Sequence, residues 1–448
     1  MKTLTEAQER AVKICTNAIA EYGSALNSSV TGTGKTVMAV HTAMRLRCPV
    51  VVIAPKAVLP SWRKEFAEHG ILPLLVVNYE KIRRGHKQFL TKNGKRSMRW
   101  NLPEDTLIIF DEVQRCKSPY TQNSLLLISA KMQKINTLLL SATAAEDCTE
   151  MRSLGYALDL HSLNRGTATR KSWIEWMKQH GCTQDNWGGW RSGGRAKLKE
   201  IHNVMYRDRA IRLVTDDMPE AFRSNHIIEE IVEFEAMSAI RRFYKDAGIT
   251  PAVIDAYVEH QSLALIDPEA AEAMKETNVL TEMLRARQMA EACKIPEIVE
   301  MASDLITEGF SVAVFLNFRD TVTAFKAAME TVLGKEISVI IGGQKEDERS
   351  SNVLEFSDDR RRVIVCTAAA GGTGVDGLQD LHGKYPRVSL ISPSFSAQEF
   401  KQVLGRLPRA YAKSGVIQKI LIAAGTIEEY VLKAIHKKLA NLESLHGK

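Results

Sequence analysis

One glycine-rich segment, VTGTGKT at residues 30–36, constrains the fold of this chain more than any other. It follows a short apolar stretch and precedes a segment with the apolar spacing of a helix. Gly32 and Gly34 permit a tight turn that directs backbone N–H groups inward, and the dipole of the following helix adds positive potential. Lys35 would reach the β- and γ-phosphates of a nucleotide, and the Thr36 hydroxyl would bind Mg²⁺. The segment predicts a polyphosphate-binding loop between a strand and a helix.

The loop departs from the strict phosphate-loop pattern at one position. That pattern has a glycine five residues before Gly34, where this chain has Ser29. The segment taken alone therefore also fits a glycine-rich turn that happens to precede a Lys-Thr pair. The choice between the two interpretations depends on the rest of the chain.

Apolar, mostly β-branched runs recur after the loop and predict strands that are buried on both faces of a parallel sheet. Segments with helical spacing alternate with these runs, and residues 236–308 are predicted to be mainly helical. The alternation predicts an α/β fold with two doubly wound parallel-sheet domains in tandem, residues 1–218 and 219–448, the second with a helical insertion. The runs are residues 50–54, 72–80, 106–114 and 136–143 in the first half, and 311–318, 336–343, 361–369, 387–393 and 417–425 in the second.

Two acidic residues, Asp111 and Glu112, end the predicted strand at residues 106–114. Open α/β sheets bind ligands at the carboxyl ends of their parallel strands. Asp111 is suited there to hold Mg²⁺, and Glu112 to orient and deprotonate a water that attacks the γ-phosphate. A solvated acidic turn would also produce this pair. That alternative loses weight because a phosphate loop lies upstream in the same α/β unit.

Composition excludes several classes of protein. No apolar run approaches the ~18 residues of a membrane span, and the N-terminus is too polar for a secretory signal. The cysteines never have C-x-x-C spacing, which argues against a disulfide framework and a zinc site and for a reducing compartment. These features predict a cytoplasmic protein without membrane contact. We also expect a monomer, and the compact size suits a bacterial or phage protein, with a nuclear location if the source is eukaryotic. The cysteines are Cys15, Cys48, Cys116, Cys148, Cys182, Cys293 and Cys366.

The net charge of +7 is unevenly distributed. Residues 81–100 contain no acidic side chain, and the Asn93-Gly94 pair within them favours a tight hairpin. A basic hairpin suits contacts with phosphates, and a solvated loop fits the same residues equally well. The basic residues are Lys81, Arg83, Arg84, Lys87, Lys92, Lys95, Arg96 and Arg99.

The individual segments form an ordered series. In chain order they are Gln8, VTGTGKT, VIAPKAVLPSW, VVNYE, FDEVQRCKS, LLLSATAAED, VAVFLNF, CTAAAGGTGVDG and QVLGRLPR. This series resembles the motifs of superfamily 2 helicases and translocases, which have two RecA-like domains. The segments APKAVLPSWRKEF and NYE, with the spacing of Gln402, Gly405, Arg406 and Arg409, are similar to the Swi/Snf branch. Two further segments, one from WGGWRSGG onward and the other EACKIPEIVEMASDLI, most resemble its annealing-helicase subgroup.

The resemblance implies an ATP site in the cleft between the two domains. Lys35, Asp111 and Glu112 would run the hydrolysis, and Thr36 with Asp111 would hold Mg²⁺. Arg406 and Arg409 would reach in from the second domain as arginine fingers. The nucleotide-binding positions implied are Gln8, which would contact the adenine, Thr31, Gly32, Thr33, Gly34, Lys35, Thr36, Gly374 and Asp376.

The resemblance also implies DNA as the partner. The positions that match motif residues near the DNA backbone are Pro55, Lys56, Trp62, Asn78, Tyr79, Lys117, Asn317, Thr367 and Gly372. Those that would couple the nucleotide state to DNA are Ser141, Thr143 and Gln402.

The chain departs from the family pattern at two places. Gln114 replaces the histidine of Asp-Glu-Ala-His, which keeps a hydrogen-bonding side chain and removes a titratable group. Residues 410–412 are Ala-Tyr-Ala where Ile-Gly-Gln is usual, a change that bears on how hydrolysis is coupled to movement.

We expect an ATP-dependent translocase that moves along duplex or branched DNA and remodels or anneals it. A strand-separating RNA or DNA helicase of the same superfamily is the first alternative. A nucleotide-dependent DNA-binding clamp without motor activity is the second, and Lys35, Glu112 and Arg406 argue against it.

Overall fold

The computed structural model describes residues 3–94, 97–118, 120–184, 190–233, 237–246, 249, 278–371, 375–394 and 396–447. The chain forms two compact units, one of Met1–Met218 with Lys438–Lys448 and the other of Pro219–Lys437. Each unit contains its own parallel sheet.

The sheet of the first unit is parallel throughout, with the strand order β10-β1-β7-β6-β2-β3. Two small antiparallel hairpins, β4-β5 and β8-β9, lie outside it. The strands are β1 (Ser24–Asn27), β2 (Val50–Ala54), β3 (Leu75–Asn78), β4 (Leu90–Asn93), β5 (Ser97–Trp100), β6 (Leu107–Asp111), β7 (Asn136–Leu140), β8 (Thr183–Gln184), β9 (Trp190–Arg191) and β10 (Ala210–Ile211). The described helices are Glu6–Tyr22, Lys35–Leu46, Leu59–Glu68, Tyr79–Ile82, Gln122–Met132, Arg152–Ala157, Trp173–Gln179 and Arg195–Asp208.

Side chains alternate between two apolar cores on opposite faces of this sheet. Val51 and Ile53 of β2 belong to one core, and Val50, Val52 and Ala54 belong to the other. All five are buried, as expected for a parallel strand covered by helices on both sides. This arrangement confirms the doubly wound fold that the apolar runs predicted.

The central strands bring three separate segments to one edge of the sheet. Asn27 at the end of β1 pairs with Leu140 at the end of β7, and Leu140 pairs with Asp111 at the end of β6. Because these strands are parallel neighbours, the residues that follow each of them meet at the same carboxyl edge.

The second unit repeats the architecture with a parallel sheet of order β11-β16-β15-β12-β14-β13. Its strands are β11 (Asn225–Val232), β12 (Ser311–Leu316), β13 (Ser338–Ile340), β14 (Val363–Thr367), β15 (Arg387–Ile391) and β16 (Val416–Ala423). The described helices that begin in it are Met237–Asp246, Asn278–Cys293, Ile295–Thr307, Arg319–Leu333, Glu346–Ser357, Ala368–Gly371, Ala397–Leu404 and Ile427–His446.

Two strands of these sheets carry too weak a pattern to be predicted. β10 is only two residues long. β11, NHIIEEIV, lies at the sheet edge with most of its side chains exposed, so it lacks the continuous apolar run of a central strand.

The last eleven residues correct the predicted domain assignment. Residues 438–448 were assigned to the second domain and instead pack with the first unit. His446, at the end of the last helix, is buried there, with its ring nitrogens hydrogen-bonded to the Tyr206 hydroxyl and the Ala145 carbonyl. The helix Ile427–His446 continues through the boundary at Lys438, so the sequence shows no turn or change of apolar spacing there.

Cysteine pairing also differs from the prediction. Cys148 and Cys182, which are 34 residues apart, form a disulfide, and both are buried in the first unit. The fold brings together two segments whose spacing carries no pairing signal. Among the described residues, no group of three or more His, Cys, Asp and Glu side chains could hold a metal ion. None of the described helices is both long and apolar enough to cross a bilayer.

A buried ion pair ties together the core of the second unit. Lys294 is fully buried, and its Nζ lies 2.7 Å from Glu428 Oε1. The same ammonium donates to Ser392 Oγ at 2.6 Å and to the Leu421 carbonyl at 3.1 Å. Lys294 therefore binds residues from three other segments of the unit.

We expect Lys294→Met to destabilise the protein by about 3–5 kcal/mol, because it leaves the Glu428 carboxylate buried without its counterion. Adding Glu428→Gln should recover much of this loss, since the second substitution removes the uncompensated charge. The shift in the urea unfolding midpoint measures both effects. An unchanged midpoint for Lys294→Met would contradict this account.

Candidate nucleotide site

The predicted phosphate loop connects β1 to the helix that begins at Lys35, at the carboxyl edge of the first sheet. Gly32 and Gly34 both have φ of 87°, a left-handed conformation that suits glycine. Lys35 Nζ donates to the main-chain oxygens of Ser29, at 2.8 Å, and Val30, at 3.1 Å. The ammonium therefore lies within the curve of the loop, where phosphate oxygens could take the place of these carbonyls.

The threonines of the loop differ in accessibility. Thr31 and Thr36 are half-buried, whereas Thr33 is fully buried and its hydroxyl donates to the Val30 carbonyl at 2.8 Å. Thr33 can therefore contribute its backbone but not its side chain to a ligand.

Ser29, the departure from the strict pattern, has a structural explanation. Its φ is not positive, so the position does not require glycine. Its buried hydroxyl accepts a hydrogen bond from the Leu213 N–H at 3.0 Å, and its own N–H donates to Asn27 Oδ1 at 3.1 Å. The serine thus links the start of the loop to two neighbouring segments.

Gln8 links the first helix to the loop. Its Oε1 accepts from the Thr5 N–H at 3.0 Å, completing the helix cap, and its Nε2 donates to the Thr33 carbonyl at 2.9 Å. A Cβ at Gly34 would lie 2.7 Å from this nitrogen, so glycine is required there for packing as well as for φ. Contact between Gln8 and adenine stays a prediction.

Asp111 is held by residues from two other segments. Trp62 Nε1 donates to Asp111 Oδ2 at 2.8 Å, and the Glu112 N–H donates to Asp111 Oδ1 at 3.0 Å. The buried Tyr79 hydroxyl donates to the Asp111 main-chain oxygen, also at 2.8 Å. These bonds fix both the backbone and the carboxylate at the end of β6.

The surroundings of Asp111 suit a cation. Burial and the neighbouring Glu112 carboxylate raise the pKa of Asp111 to about 7, while the Trp62 N–H and the Lys35 charge limit the rise. A divalent cation can replace the proton that such a carboxylate favours. Thr36 and Asp111 fit Mg²⁺, which takes only one or two protein ligands at nucleotide sites and completes its shell with phosphate and water.

Glu112 has an unusual backbone and a dedicated partner. Its φ of 53° is left-handed, which is rare outside glycine and is often found at functional sites. Gln114 Nε2 donates to Glu112 Oε2 at 2.5 Å. The glutamine that replaces the family histidine therefore orients the Glu112 carboxylate without adding a titratable group.

Three of the residues predicted to lie near the DNA backbone have interior roles. Trp62 and Tyr79 are 1% and 0% exposed and hold Asp111. Lys117 has a side chain only 11% exposed and pairs with Glu150 at 2.6 Å and with Glu146 at 3.8 Å. These three side chains pack inward beneath the carboxyl edge, and their contacts with DNA stay predictions.

Lys117 and Glu150 connect the acidic strand end to the segment that contains Ser141 and Thr143. Glu150 Oε2 accepts from the Glu146 N–H at 2.7 Å, while its other oxygen binds the Lys117 ammonium. Ser141 and Thr143 are buried, and the Ser141 hydroxyl accepts from the Thr143 N–H at 3.0 Å. Sequence reasoning missed Glu150, which a search for acids following the SAT segment could have found.

The remaining DNA-backbone positions of the first unit lie at the carboxyl edge. Lys56 is exposed just after β2, whereas Pro55 is buried. Asn78 is half-buried at the end of β3, where its side chain accepts from the Lys81 N–H at 2.8 Å as a helix cap. Contacts of these residues with DNA stay predictions.

In the second unit, the two predicted arginine fingers share one carboxylate. Arg409 Nη2 lies 2.7 Å from Asp376 Oδ1, and Arg406 Nη1 lies 3.6 Å from the same oxygen. Arg406 is buried and also donates to the Val375 carbonyl at 2.7 Å. Asp376, predicted to bind the nucleotide, is the partner of both arginines here. Gly372 and Gly374 lie outside the described residues.

The other predicted residues of the second unit lie at strand ends or within a helix. Asn317 follows β12, and its Nδ2 donates to Glu291 Oε2 at 2.6 Å. Glu291, which is buried, also accepts from the Thr321 hydroxyl at 2.6 Å, so it orients Asn317. Thr367 and Gln402 are both buried. Sequence reasoning missed Glu291, although it begins the EACKIPEIVE segment.

Comparisons with known proteins identify helicase-like relatives. The family described as the helicase conserved C-terminal domain matches residues 294–411. L364 of Acanthamoeba polyphaga mimivirus, named as an ATP-dependent RNA helicase, is 28% identical in an alignment that covers 95% of this chain and 80% of L364. CHROMATIN REMODELING 24 of Arabidopsis thaliana is 20% identical over 86% of this chain, which spans only 40% of that protein.

A solved structure shares the fold. Saccharomyces cerevisiae Dbp5 bound to RNA and ADP BeF3 matches 98% of this chain and 89% of its own, with a TM-score of 0.54 and 13% identity. The match shows the tandem RecA-like architecture.

We expect Trp62→Phe to raise the Mg²⁺ concentration for half-maximal ATP hydrolysis by about tenfold, the usual scale for losing an outer-shell partner. The ring is kept, but the N–H that lowers the pKa of Asp111 is lost, so Mg²⁺ must displace a more tightly held proton. The defect should therefore be larger at pH 6.5 than at pH 8.5, where the carboxyl is deprotonated in both proteins. A Mg²⁺ dependence that matched the parent at both pH values would contradict this role for Trp62.

Proposed function

We propose that this chain, an ATP-hydrolysing enzyme with helicase-like relatives, is a superfamily 2 translocase of the Swi/Snf-like type that acts on duplex or branched DNA. The observation that carries the proposal is the convergence of the phosphate loop, Asp111 and Glu112 on one edge of a single sheet, at the ends of β1 and β6 on either side of β7. The ordered motif series supports the Swi/Snf branch.

Hydrolysis follows from the positions of four side chains in the first unit. The loop and Lys35 bind the β- and γ-phosphates of ATP, which take over the hydrogen bonds that Lys35 makes with the loop carbonyls. Glu112, oriented by Gln114, accepts the proton of the attacking water. Thr36 and Asp111 would hold Mg²⁺, which would supply positive charge against the phosphate oxygens.

Arg406 and Arg409 supply the positive charge that the second unit contributes to the reaction. Their guanidinium groups stabilise the negative charge that develops on the γ-phosphate oxygens. Asp376 pairs with both groups, so phosphate binding would exchange one anionic partner for another.

Movement along DNA would use phosphate contacts that carry no sequence information. Binding is therefore expected to be largely non-specific and to weaken steeply with salt. The two units would grip the backbone alternately as ATP is bound and hydrolysed.

An RNA or DNA helicase that separates strands is the second candidate. L364 is named as an RNA helicase, and the Dbp5 structure contains RNA. The ATP site would work in the same way for either substrate. The difference lies in which nucleic acid accelerates hydrolysis and whether strands are displaced.

The rate of ATP hydrolysis with single-stranded DNA, duplex DNA, forked DNA and RNA separates the two candidates. The translocase proposal predicts the largest stimulation by duplex or forked DNA and no displacement of a strand from a simple duplex. Stimulation by RNA alone, with strand displacement, would overturn it in favour of the helicase.

We expect Lys35→Ala to abolish ATP hydrolysis while the protein stays folded, because the lysine supplies the loop's charge against the phosphates. Lys13→Ala, which removes an exposed lysine of the first helix, is the matched control and should hydrolyse ATP like the parent. Turnover by Lys35→Ala equal to that of the control would rule out this assignment of the loop.

We expect Arg406→Ala to lower turnover by about 10³-fold or more with little change in ATP affinity, since an arginine finger acts mainly in the transition state. Arg406→Lys, which keeps a charge at this buried position, tests whether the guanidinium itself is needed. Thermal melting checks that both variants fold. A folded Arg406→Ala with parental turnover would exclude the finger role.

A further inference from the structure

The net positive charge of the chain resides in one short segment, residues 81–100, which we call the basic arm. It holds eight of the 60 lysines and arginines and none of the 53 acidic residues. The rest of the chain has 52 lysines and arginines against those 53 acids and is close to neutral. Clustered like charges repel one another and oppose folding, so their concentration here points to an anionic partner.

The basic arm is a folded hairpin with a firm attachment to the first unit. β4 and β5 pair in antiparallel register, with Leu90 opposite Trp100. Leu90, Met98 and Trp100 are buried, and Trp100 Nε1 donates to the Leu126 carbonyl at 3.2 Å. The main chain of Trp100 also exchanges two hydrogen bonds with the Gln133 side chain. The arm therefore presents its charges from a fixed position, as the hairpin interpretation requires.

Five of the described cationic side chains of the basic arm face solvent. In the described part of the chain, no acidic side chain forms an ion pair with its exposed cations. Glu80, the acid that borders the arm, pairs instead with Arg115 at 3.2 Å. The exposed cations are Lys81, Arg84, Lys87, Lys92 and Arg99.

The outward face of the hairpin suits phosphates better than an apolar partner. It carries Thr91, Asn93, Ser97 and Arg99, all exposed and all able to donate hydrogen bonds. The arm's large apolar side chains point inward, so its outer surface lacks the aromatic anchors of a protein interface and the apolar groups of a membrane-inserting one. Cationic and hydroxyl donors without such anchors are the usual groups that contact a nucleic-acid backbone.

The position of the basic arm connects it to the candidate site. It begins two residues after Tyr79, where the chain leaves the carboxyl end of β3 on the same sheet edge as Asp111. We infer that the basic arm binds backbone phosphates of duplex DNA, as a contact additional to the motif residues. The inference rests on the proposed function and adds a site that the motif resemblance does not contain.

The test is a variant with Arg84→Gln, Lys87→Gln, Lys92→Gln and Arg99→Gln, which leaves the buried anchors of the hairpin intact. Fluorescence anisotropy measures its affinity for a labelled duplex of random sequence over a range of KCl concentrations. Each phosphate contact contributes ~0.9 to the slope of log K against log salt. We therefore expect the slope to fall by about 2–4 and the affinity to fall at every salt concentration tested. The maximal duplex-stimulated ATPase should persist, with a higher DNA concentration for half-maximal stimulation.

A matched control removes the same number of charges elsewhere, with Lys13→Gln, Lys199→Gln, Lys335→Gln and Lys345→Gln, all of them exposed. It lowers the net charge equally, so it accounts for any effect of long-range electrostatics. Thermal melting establishes that both variants are folded.

An arm variant whose salt slope and affinity match those of the control would overturn the inference, even if the arm binds another partner. A parent protein that neither binds duplex DNA nor hydrolyses ATP faster in its presence would instead contradict the proposed function. The two failures are distinguishable because the first leaves duplex stimulation of the parent intact.

Discussion

Parallel pairing of β1, β7 and β6 is the constraint on which the rest of the first unit depends. Their register sets Asn27, Leu140 and Asp111 side by side, so the three segments that follow must share one edge. Burial on both faces holds these strands in place, because a slip by one residue would exchange the two apolar cores. The positions of the site residues therefore depend on how the strands pack in the two apolar cores, away from the reacting groups.

The acidic end of β6 carries an electrostatic cost within this sheet. A partly buried Asp111 beside Glu112 disfavours two negative charges, which raises the pKa of Asp111. Hydrogen bonds from Trp62 and Tyr79 hold the backbone and carboxylate in place despite that cost. Carboxylates held in place in this way bind a cation favourably, because the cation offsets their mutual repulsion. The arrangement that costs folding free energy thus serves the binding of Mg²⁺ with a nucleotide.

The sequence alone was sufficient to predict those elements whose pattern lies within one short segment. Runs such as residues 50–54 predict central strands because burial on both faces requires uninterrupted apolar residues, and a glycine-rich turn before Lys35 predicts a loop because few other conformations fit it. Long-range partners left no such signal. The bond from Trp62 to Asp111 spans 49 residues, and that from Tyr79 spans 32, so the sequence did not show that these two side chains orient the acid. The edge strand β11, half apolar and largely exposed, was missed for a related reason: its stability comes from its pairing with β16.

The central claim is that a single site, in which Glu112 activates water, hydrolyses ATP in response to nucleic acid. The most direct test is duplex-stimulated ATP turnover by Glu112→Gln, which keeps the size of the side chain and removes the base. The account predicts that this variant still binds ATP and duplex DNA, while turnover falls by about 10²–10⁴-fold, the usual contribution of a general base. Parental turnover in a folded Glu112→Gln protein would contradict it.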